Sequence, residues 1–173
     1  MFKKDEIKII SIFGVTGSVG VSTQELIQMN IKKFKVDTIV ANNDVKGLIK
    51  AAKYLKPNLV IINNDKMFLP LKKSLEGYSI DIAAGNDAII EASKRKVDVF
   101  VAAISGFAGL NSTLNAIGNA KFIALANKES IVCAGPILLN KVKNSNSKII
   151  PIDSEHNTLY QILVNANIDS VSK

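Results

Sequence analysis

Short runs of consecutive apolar residues alternate along this chain with longer segments of mixed apolar and polar positions. The runs are Ile7–Phe13, Val36–Ala41, Leu59–Ile62, Ile80–Ala83, Val97–Ala103, Phe122–Ala126 and Lys148–Ile152. Most are rich in β-branched residues, which predicts strands. Two of them, Val97–Ala103 and Phe122–Ala126, carry almost no polar position, as strands of a parallel sheet buried on both faces do. The segments between predict helices from about Ser18 to Asn30, Asp44 to Leu55, Asn86 to Lys94, Leu110 to Asn119 and Pro136 to Lys143. Strand and helix patterns in alternation give an α/β fold, a doubly wound and mostly parallel sheet with helices on both faces. No internal repeat, low-complexity tract or flexible linker interrupts the pattern. One such domain is expected over residues 1–150, with a different kind of segment over 151–173.

Composition narrows the function classes. With 173 residues, 47% of them hydrophobic, the chain is long enough to bury one ordinary core. No apolar run approaches the roughly 20 residues that span a bilayer, so no membrane partner is expected and a cytoplasmic location is the simple reading. Cys133 is the only cysteine and His156 the only histidine, which excludes an internal disulfide and a Cys/His zinc site. Cys133 lies in the apolar run Ile131-Val132-Cys133-Ala134 and reads as a small core residue. The formal charge of +7 invites a nucleic-acid reading. Yet Arg95 is the only arginine among the 22 basic residues, and the lysines form no stripe, so no nucleic-acid partner is expected.

The first motif that carries chemistry is Gly14-Val15-Thr16-Gly17-Ser18-Val19-Gly20, directly after the first strand and opening the first helix. In a Rossmann-type sheet, glycines there permit a tight turn and bring backbone close to a pyrophosphate, whose charge meets the N–H groups of the helix start. The spacing is G-x-x-G-x-x-G and no Lys-Ser or Lys-Thr pair follows, so the loop is not a P-loop. A glycine turn without any ligand is the bland alternative. The second strand ends Val40-Ala41-Asn42-Asn43-Asp44, with amides where an NAD site carries an acid, and with Lys46 nearby for a 2′-phosphate. That favours NADP, although an Asp44 that reached back to the ribose would reverse the choice.

Beside the glycine loop stand Ala126-Asn127-Lys128-Glu129-Ser130, Pro151-Ile152-Asp153-Ser154-Glu155-His156-Asn157 and Gly106-Phe107-Ala108-Gly109-Leu110. With these strings in order, the chain resembles the 1-deoxy-D-xylulose 5-phosphate reductoisomerases over essentially its whole length. The resemblance implies NADPH-dependent rearrangement and reduction of a sugar phosphate to 2-C-methyl-D-erythritol 4-phosphate, in isoprenoid precursor synthesis, with Mg²⁺ or Mn²⁺. It implies cofactor contacts at Thr16, Gly17, Ser18, Val19, Asn43, Asn127 and Glu129. It further implies substrate contacts at Lys128 and Ser154, and metal ligands at Asp153 and Glu155. Asn42 stands where that family usually has Gly, and Asp44 where it usually has Asn. The chain is expected to stop before a catalytic domain holding a third acidic ligand, a phosphate site and a flap. By the same comparison the parent enzyme is expected to be a homodimer, and this piece alone to bind cofactor without turnover.

The residues themselves agree with that chemistry. Two hard carboxylates with no sulfur or imidazole partner set suit Mg²⁺ or Mn²⁺. If the last strand continues through them, Asp153 and Glu155, two apart, project to one side and face one ion. An isolated Asp-x-Glu is more often a solvated turn. His156 reads as a neighbour that helps position the acids, since a catalytic triad is defined by geometry and not by adjacency. Two rival functions remain at this point, another Rossmann dehydrogenase and a non-catalytic NAD(P)-binding module.

Overall fold

The computed structural model describes residues 6–163. Seven strands form one sheet: β1 (Lys8–Phe13), β2 (Phe34–Ala41), β3 (Leu59–Ile62), β4 (Asp81–Ala84), β5 (Val97–Ala102), β6 (Ala120–Leu125) and β7 (Lys148–Pro151). Seven α-helices connect or follow them: α1 (Ser18–Met29), α2 (Val45–Leu55), α3 (Phe68–Ser74), α4 (Gly85–Ser93), α5 (Gly109–Ala116), α6 (Lys128–Lys143) and α7 (Ser154–Leu163). Across the sheet the order is β4-β3-β2-β1-β5-β6-β7, with each neighbouring pair parallel. The doubly wound α/β expectation therefore holds. Among the described residues no helix is long and apolar enough to cross a membrane.

Burial on both faces explains why the strands read as continuous apolar runs. Val60 and Ile62 point into one core with Ile39, Ala41, Val101 and the α2 residues Leu48, Ala51 and Leu55. Ile61 and Val40 point into the other, with Phe100, Ala102, Ile123 and the α4 and α6 residues Ile89 and Leu138. Alternate positions thus serve opposite helix layers. Phe13 and Phe100, with ring centroids 4.4 Å apart, fill the second layer beneath the ends of β1 and β5.

At the amino ends of the strands, Arg95 ties the sheet together. Its Nε and Nη2 donate to both carboxylate oxygens of Asp37, at 2.6 and 2.8 Å. Asp37 also accepts from Asn58 Nδ2 and Thr38 Oγ1. Burial pushes the Asp37 carboxyl up, but the bonds from Arg95, Asn58 and Thr38 outweigh it and hold the group below its ordinary value. The single arginine is thus a structural fork at the end of the sheet opposite the glycine loop.

Four expectations change. Helix α3 was not foreseen, because it is short and holds Pro70. Pro70 is tolerated in the first turn, where its missing N–H has no intrahelical partner. Helix α6 begins at Lys128, eight residues before the expected start at Pro136, capped by the Asn127 side chain. It bends at Ala134 (φ −142°, ψ 25°), two residues before Pro136. Cys133 is exposed on this helix, not a core residue. Lastly, β7 ends at Pro151, and Ser154–Leu163 is helical, so Asp153 and Glu155 are not on an extended strand. Asp153 instead sits where an N-cap residue does, its Oδ1 accepting from His156 N at 2.9 Å. Pro151 pairs with Leu125 in the sheet, so the strand runs one residue past the expected division at 150. Residues 164–173, the rest of the segment expected to differ, lie outside the described residues.

Candidate dinucleotide cleft

From β1 the chain steps outward through β2, β3 and β4 on one side, and β5, β6 and β7 lie on the other. The crossovers diverge between β1 and β5, and a crevice opens above their carboxyl ends. Ligands of doubly wound sheets bind at such a switch point. A cleft of about 340 Å³ lies there, lined by Gly14, Thr16, Gly17, Asn42, Asn63, Asn86 and Ser105 among others. A second cavity of about 240 Å³ continues from Gly17 past Ser18, Val19 and Ser105 to Asn127, Lys128 and Glu129. Gly17, Ala103, Ile104 and Ser105 line both, so the two are parts of one groove.

The three loop glycines do different work. Gly14 has φ +100°, and a Cβ on it would lie 2.3 Å from the carbonyl oxygen of Ala103. A Cβ on Gly20 would lie 2.3 Å from Gly14 O and 2.4 Å from Val15 O, so helix α1 packs on the loop only through glycine. Gly17 differs. Its φ is −77°, and the nearest atom to a Cβ is Gly14 O at 3.5 Å, an ordinary contact. Nothing in the fold requires glycine at 17, yet Gly17 is exposed on the groove as the N-cap of α1, with no side-chain cap. A bare helix start facing a cleft is suited to an anion that approaches the backbone closely.

Asn127 joins two of the motifs read from the sequence. Its Nδ2 donates to Ile104 O and Gly106 O, both at 2.8 Å, and at 3.2 Å to Glu129 Oε2. Its Oδ1 accepts from Ser130 N at 2.8 Å and from the Ser130 hydroxyl. A Cβ on Gly109 would come within 2.5 Å of Ile104 O and 3.2 Å of Asn127 Nδ2. The Ala-Asn-Lys-Glu-Ser string therefore clamps the Gly-Phe-Ala-Gly loop that walls the groove. Asn127 lines the groove, but its amide is consumed in holding the wall.

The remaining candidates fall into place unevenly. Thr16, Ser18, Val19, Lys128 and Glu129 all line the groove. Asn43 does not: it is exposed, and its Oδ1 accepts from Asn64 Nδ2 at 2.9 Å. Asp44 caps α2, its Oδ1 accepting from Gly47 N at 2.8 Å, which holds the carboxylate at the start of that helix. Asp153 is bound through Oδ2 to His156 Nδ1 at 2.7 Å. Partial burial pushes the Asp153 carboxyl up, but the His156 backbone and ring outweigh this, and the Lys128 charge adds to them. The group is held below its ordinary value. Lys128 thus lies on the groove and within electrostatic reach of Asp153. Ser154 and Glu155 are exposed in the first turn of α7. No group of three or more metal-binding side chains occurs among the described residues.

Asn42, Asn63 and Asn86 were not picked out from the sequence as cleft residues. The signal for them is positional, because they follow the carboxyl ends of β2, β3 and β4.

The sequence profile of 1-deoxy-D-xylulose 5-phosphate reductoisomerase matches residues 10–135. The chain belongs to the 1-deoxy-D-xylulose 5-phosphate reductoisomerase family. The reductoisomerase of Zymomonas mobilis is 40% identical over 166 residues, 96% of this chain and 43% of the relative. That of Rhodopseudomonas palustris is 37% identical over 167 residues, 96% of this chain and 41% of the relative. A solved Zymomonas mobilis reductoisomerase in complex with NADPH superposes with a TM-score of 0.88 at 40% identity, covering 90% of this chain and 41% of the other. A reductoisomerase in complex with NADPH, fosmidomycin and magnesium gives 0.84 at 37% identity, covering 90% and 38%. The chain spans about two fifths of the length of the reductoisomerases it matches.

Proposed function

We propose that this chain is the NADPH-binding part of an enzyme that rearranges 1-deoxy-D-xylulose 5-phosphate and reduces the product to 2-C-methyl-D-erythritol 4-phosphate. The observation that carries the reading is Gly17, a glycine that the fold does not need, at an uncapped helix start on the switch-point groove. The backbone N–H groups of Ser18 and Val19 bind the pyrophosphate there, the Gly17 N–H being used by Gly14 O within the turn, and Thr16 lies beside it. Asn42 and Asn43 at the tip of β2, with Asp44 held at the start of α2 by its cap bond and Lys46 in the first turn, support a 2′-phosphate and hence NADPH. Asn43 serves this end through its bond to Asn64, which holds the β2 and β3 tips together. Asn127 and Glu129 border the far end of the groove, Asn127 as its clamp. NADPH bound there supplies the hydride.

Lys128 and Ser154 are the proposed substrate contacts, Lys128 giving positive charge beside the groove for an anionic sugar phosphate. Asp153 and Glu155 are the proposed ligands of Mg²⁺ or Mn²⁺. The donor set fits in kind, oxygen only, and His156 holds the Asp153 carboxylate in place. It is also incomplete, since two carboxylates leave a hard ion to find its other ligands elsewhere. Held by Asp153 and Glu155, a dication would polarise a substrate carbonyl and steady negative charge on its oxygen. On this reading residues 1–150 form the cofactor domain, 151–173 begin the metal-binding part, and the parent enzyme is a cytoplasmic homodimer.

Titration of the 173-residue chain with NADPH and NADH tests the cofactor assignment. Tighter NADPH binding is expected, and tighter NADH binding overturns it. The parent protein is expected to oxidise NADPH with 1-deoxy-D-xylulose 5-phosphate and Mn²⁺, and to lose that activity on Asp153→Asn. Full activity of that variant refutes the metal assignment.

A further inference from the structure

We infer that the outer face of α2 and α3 collects the anionic dinucleotide from solution and speeds its entry into the groove. This rests on the NADPH reading above and adds a kinetic role for charges that lie outside the groove. The two helices pack together and bury one side in the same core, α2 through Leu48, Ala51 and Leu55 and α3 through Leu71. The opposite side of α2 carries Lys46, Lys50 and Lys53, whose helical spacing sets them in one line. Lys66 follows in the 3₁₀ turn Asp65–Met67, and Lys72 and Lys73 stand in the last turn of α3. All of these lysines are exposed, and Asp65 is the only acid on the same elements.

Their charge is not cancelled. The ion pairs among the described residues join Lys8 to Glu6, Lys94 to Glu91, Arg95 to Asp37, Lys121 to Asp98 and His156 to Asp153, and none takes a lysine of α2 or α3. Lys53 lies over the Tyr78 ring and Lys72 over that of Phe68, at 5.5 and 5.9 Å from the centroids, contacts that leave the positive charge in place. The face also adjoins the groove. Helix α2 sets out just after Asn42, a residue of the cleft, and Lys50 and Lys53 stand about 6 and 10 Å beyond Lys46 along its axis. The field of an unpaired charge reaches about 10 Å at 0.1 M salt and about 30 Å at 0.01 M, so an anion at the groove mouth meets the field of the whole face. NADPH brings a pyrophosphate and a 2′-phosphate into that field. Like charges gathered beside a cleft raise the local concentration of an oppositely charged ligand, and with it the association rate. Lys50, Lys53 and Lys72 do not line the groove, so they act on arrival and not on the bound complex.

The test is stopped-flow fluorescence of NADPH association and dissociation over a salt series, with the 173-residue chain and two variants of it. One is the triple variant Lys50→Gln, Lys53→Gln, Lys72→Gln. The other removes as many charges at the opposite end of the sheet, by Lys141→Gln and Lys143→Gln at the end of α6 and Lys148→Gln at the start of β7. All six positions are exposed and glutamine matches lysine in helix propensity, so both variants are expected to fold, and a circular dichroism melt verifies it. At about 0.02 M salt the association rate is expected to fall about fivefold in the α2–α3 variant and less than about twofold in the other. Dissociation stays as in the wild type, and the three chains converge at about 1 M salt. An unchanged association rate in the α2–α3 variant, an equal fall in both variants, or an effect carried by dissociation overturns the steering proposal and leaves the cofactor assignment standing. Failure of the wild type to bind NADPH removes both.

Discussion

Replacing the three loop glycines one at a time separates the part of the motif that builds the fold from the part that meets a ligand. Gly17→Ala places its Cβ at 3.5 Å from the nearest atom, with φ at −77°, so the folded state accepts it without strain. Alanine is a poorer N-cap than glycine, and it also lowers the entropy of the unfolded chain. The two effects oppose each other and leave stability within about 1 kcal/mol of wild type. Gly20→Ala is different, because its Cβ would meet two backbone oxygens at 2.3 and 2.4 Å, and backbone cannot swing aside. Overpacking of that kind costs about 3 kcal/mol or more, which in a domain of this size lowers the melting temperature by roughly 6–12 °C. Binding should follow the reverse order of tolerance. The methyl group at 17 holds a pyrophosphate off the helix start and weakens its charge-assisted hydrogen bonds, each worth roughly 1.5–3 kcal/mol, so NADPH affinity falls at least about tenfold. The assay is a thermal melt beside a fluorescence titration with NADPH for each variant. Wild-type NADPH affinity in a folded Gly17→Ala chain refutes the assignment of position 17 to ligand approach. A Gly20→Ala chain as stable as wild type refutes the packing argument.

Other substitutions test the framework around the groove. Asn127→Ala strips partners from the carbonyls of Ile104 and Gly106 and from Ser130, and should lower stability by about 3 kcal/mol in a melt while weakening NADPH. Asp37 has a folded value below 3.8, its value in the unfolded chain. Its contribution is therefore complete above that value and lost as pH falls through the folded one. Melts of wild type and Asp37→Asn should differ by a constant amount near neutrality and converge below about pH 4, and an undiminished gap at about pH 2 would contradict the pairing with Arg95. Ser11, 1% exposed on β1, has a hydroxyl without a partner, so Ser11→Ala should leave stability unchanged or raise it by about 1 kcal/mol.

Much of the fold was legible because parallel strands covered on both faces leave little choice of residue. Val97–Ala103 and Phe122–Ala126 each matched a central strand to within two residues. Helix α3 escaped notice because Pro70 reads as a breaker, and its tolerance depends on its place within the first turn. The start of α6 was hidden because its cap, Asn127, is recognised only through the bond to Ser130. The extended reading of Asp153 and Glu155 overlooked that an Asp followed by an acid in the next turn is also a helix-start pattern, and the local hydrogen bond to His156 won. In the site, the glycine loop and the Asn127 string stood out because each is contiguous. Asn42, Asn63 and Asn86 could not, since about twenty residues separate each from the next and only the neighbouring positions of β2, β3 and β4 in the sheet bring them to one cleft.

A residue-resolved NMR titration of the 173-residue chain with NADPH puts the switch-point groove itself to the test. The largest amide shifts are expected at Gly17, Ser18 and Val19, with further changes at Asn42, Asn63 and Ser105, and little at Asp37 or Arg95 on the opposite end of the sheet. Saturable shifts centred on any other surface, with Gly17 to Val19 unmoved, would contradict it.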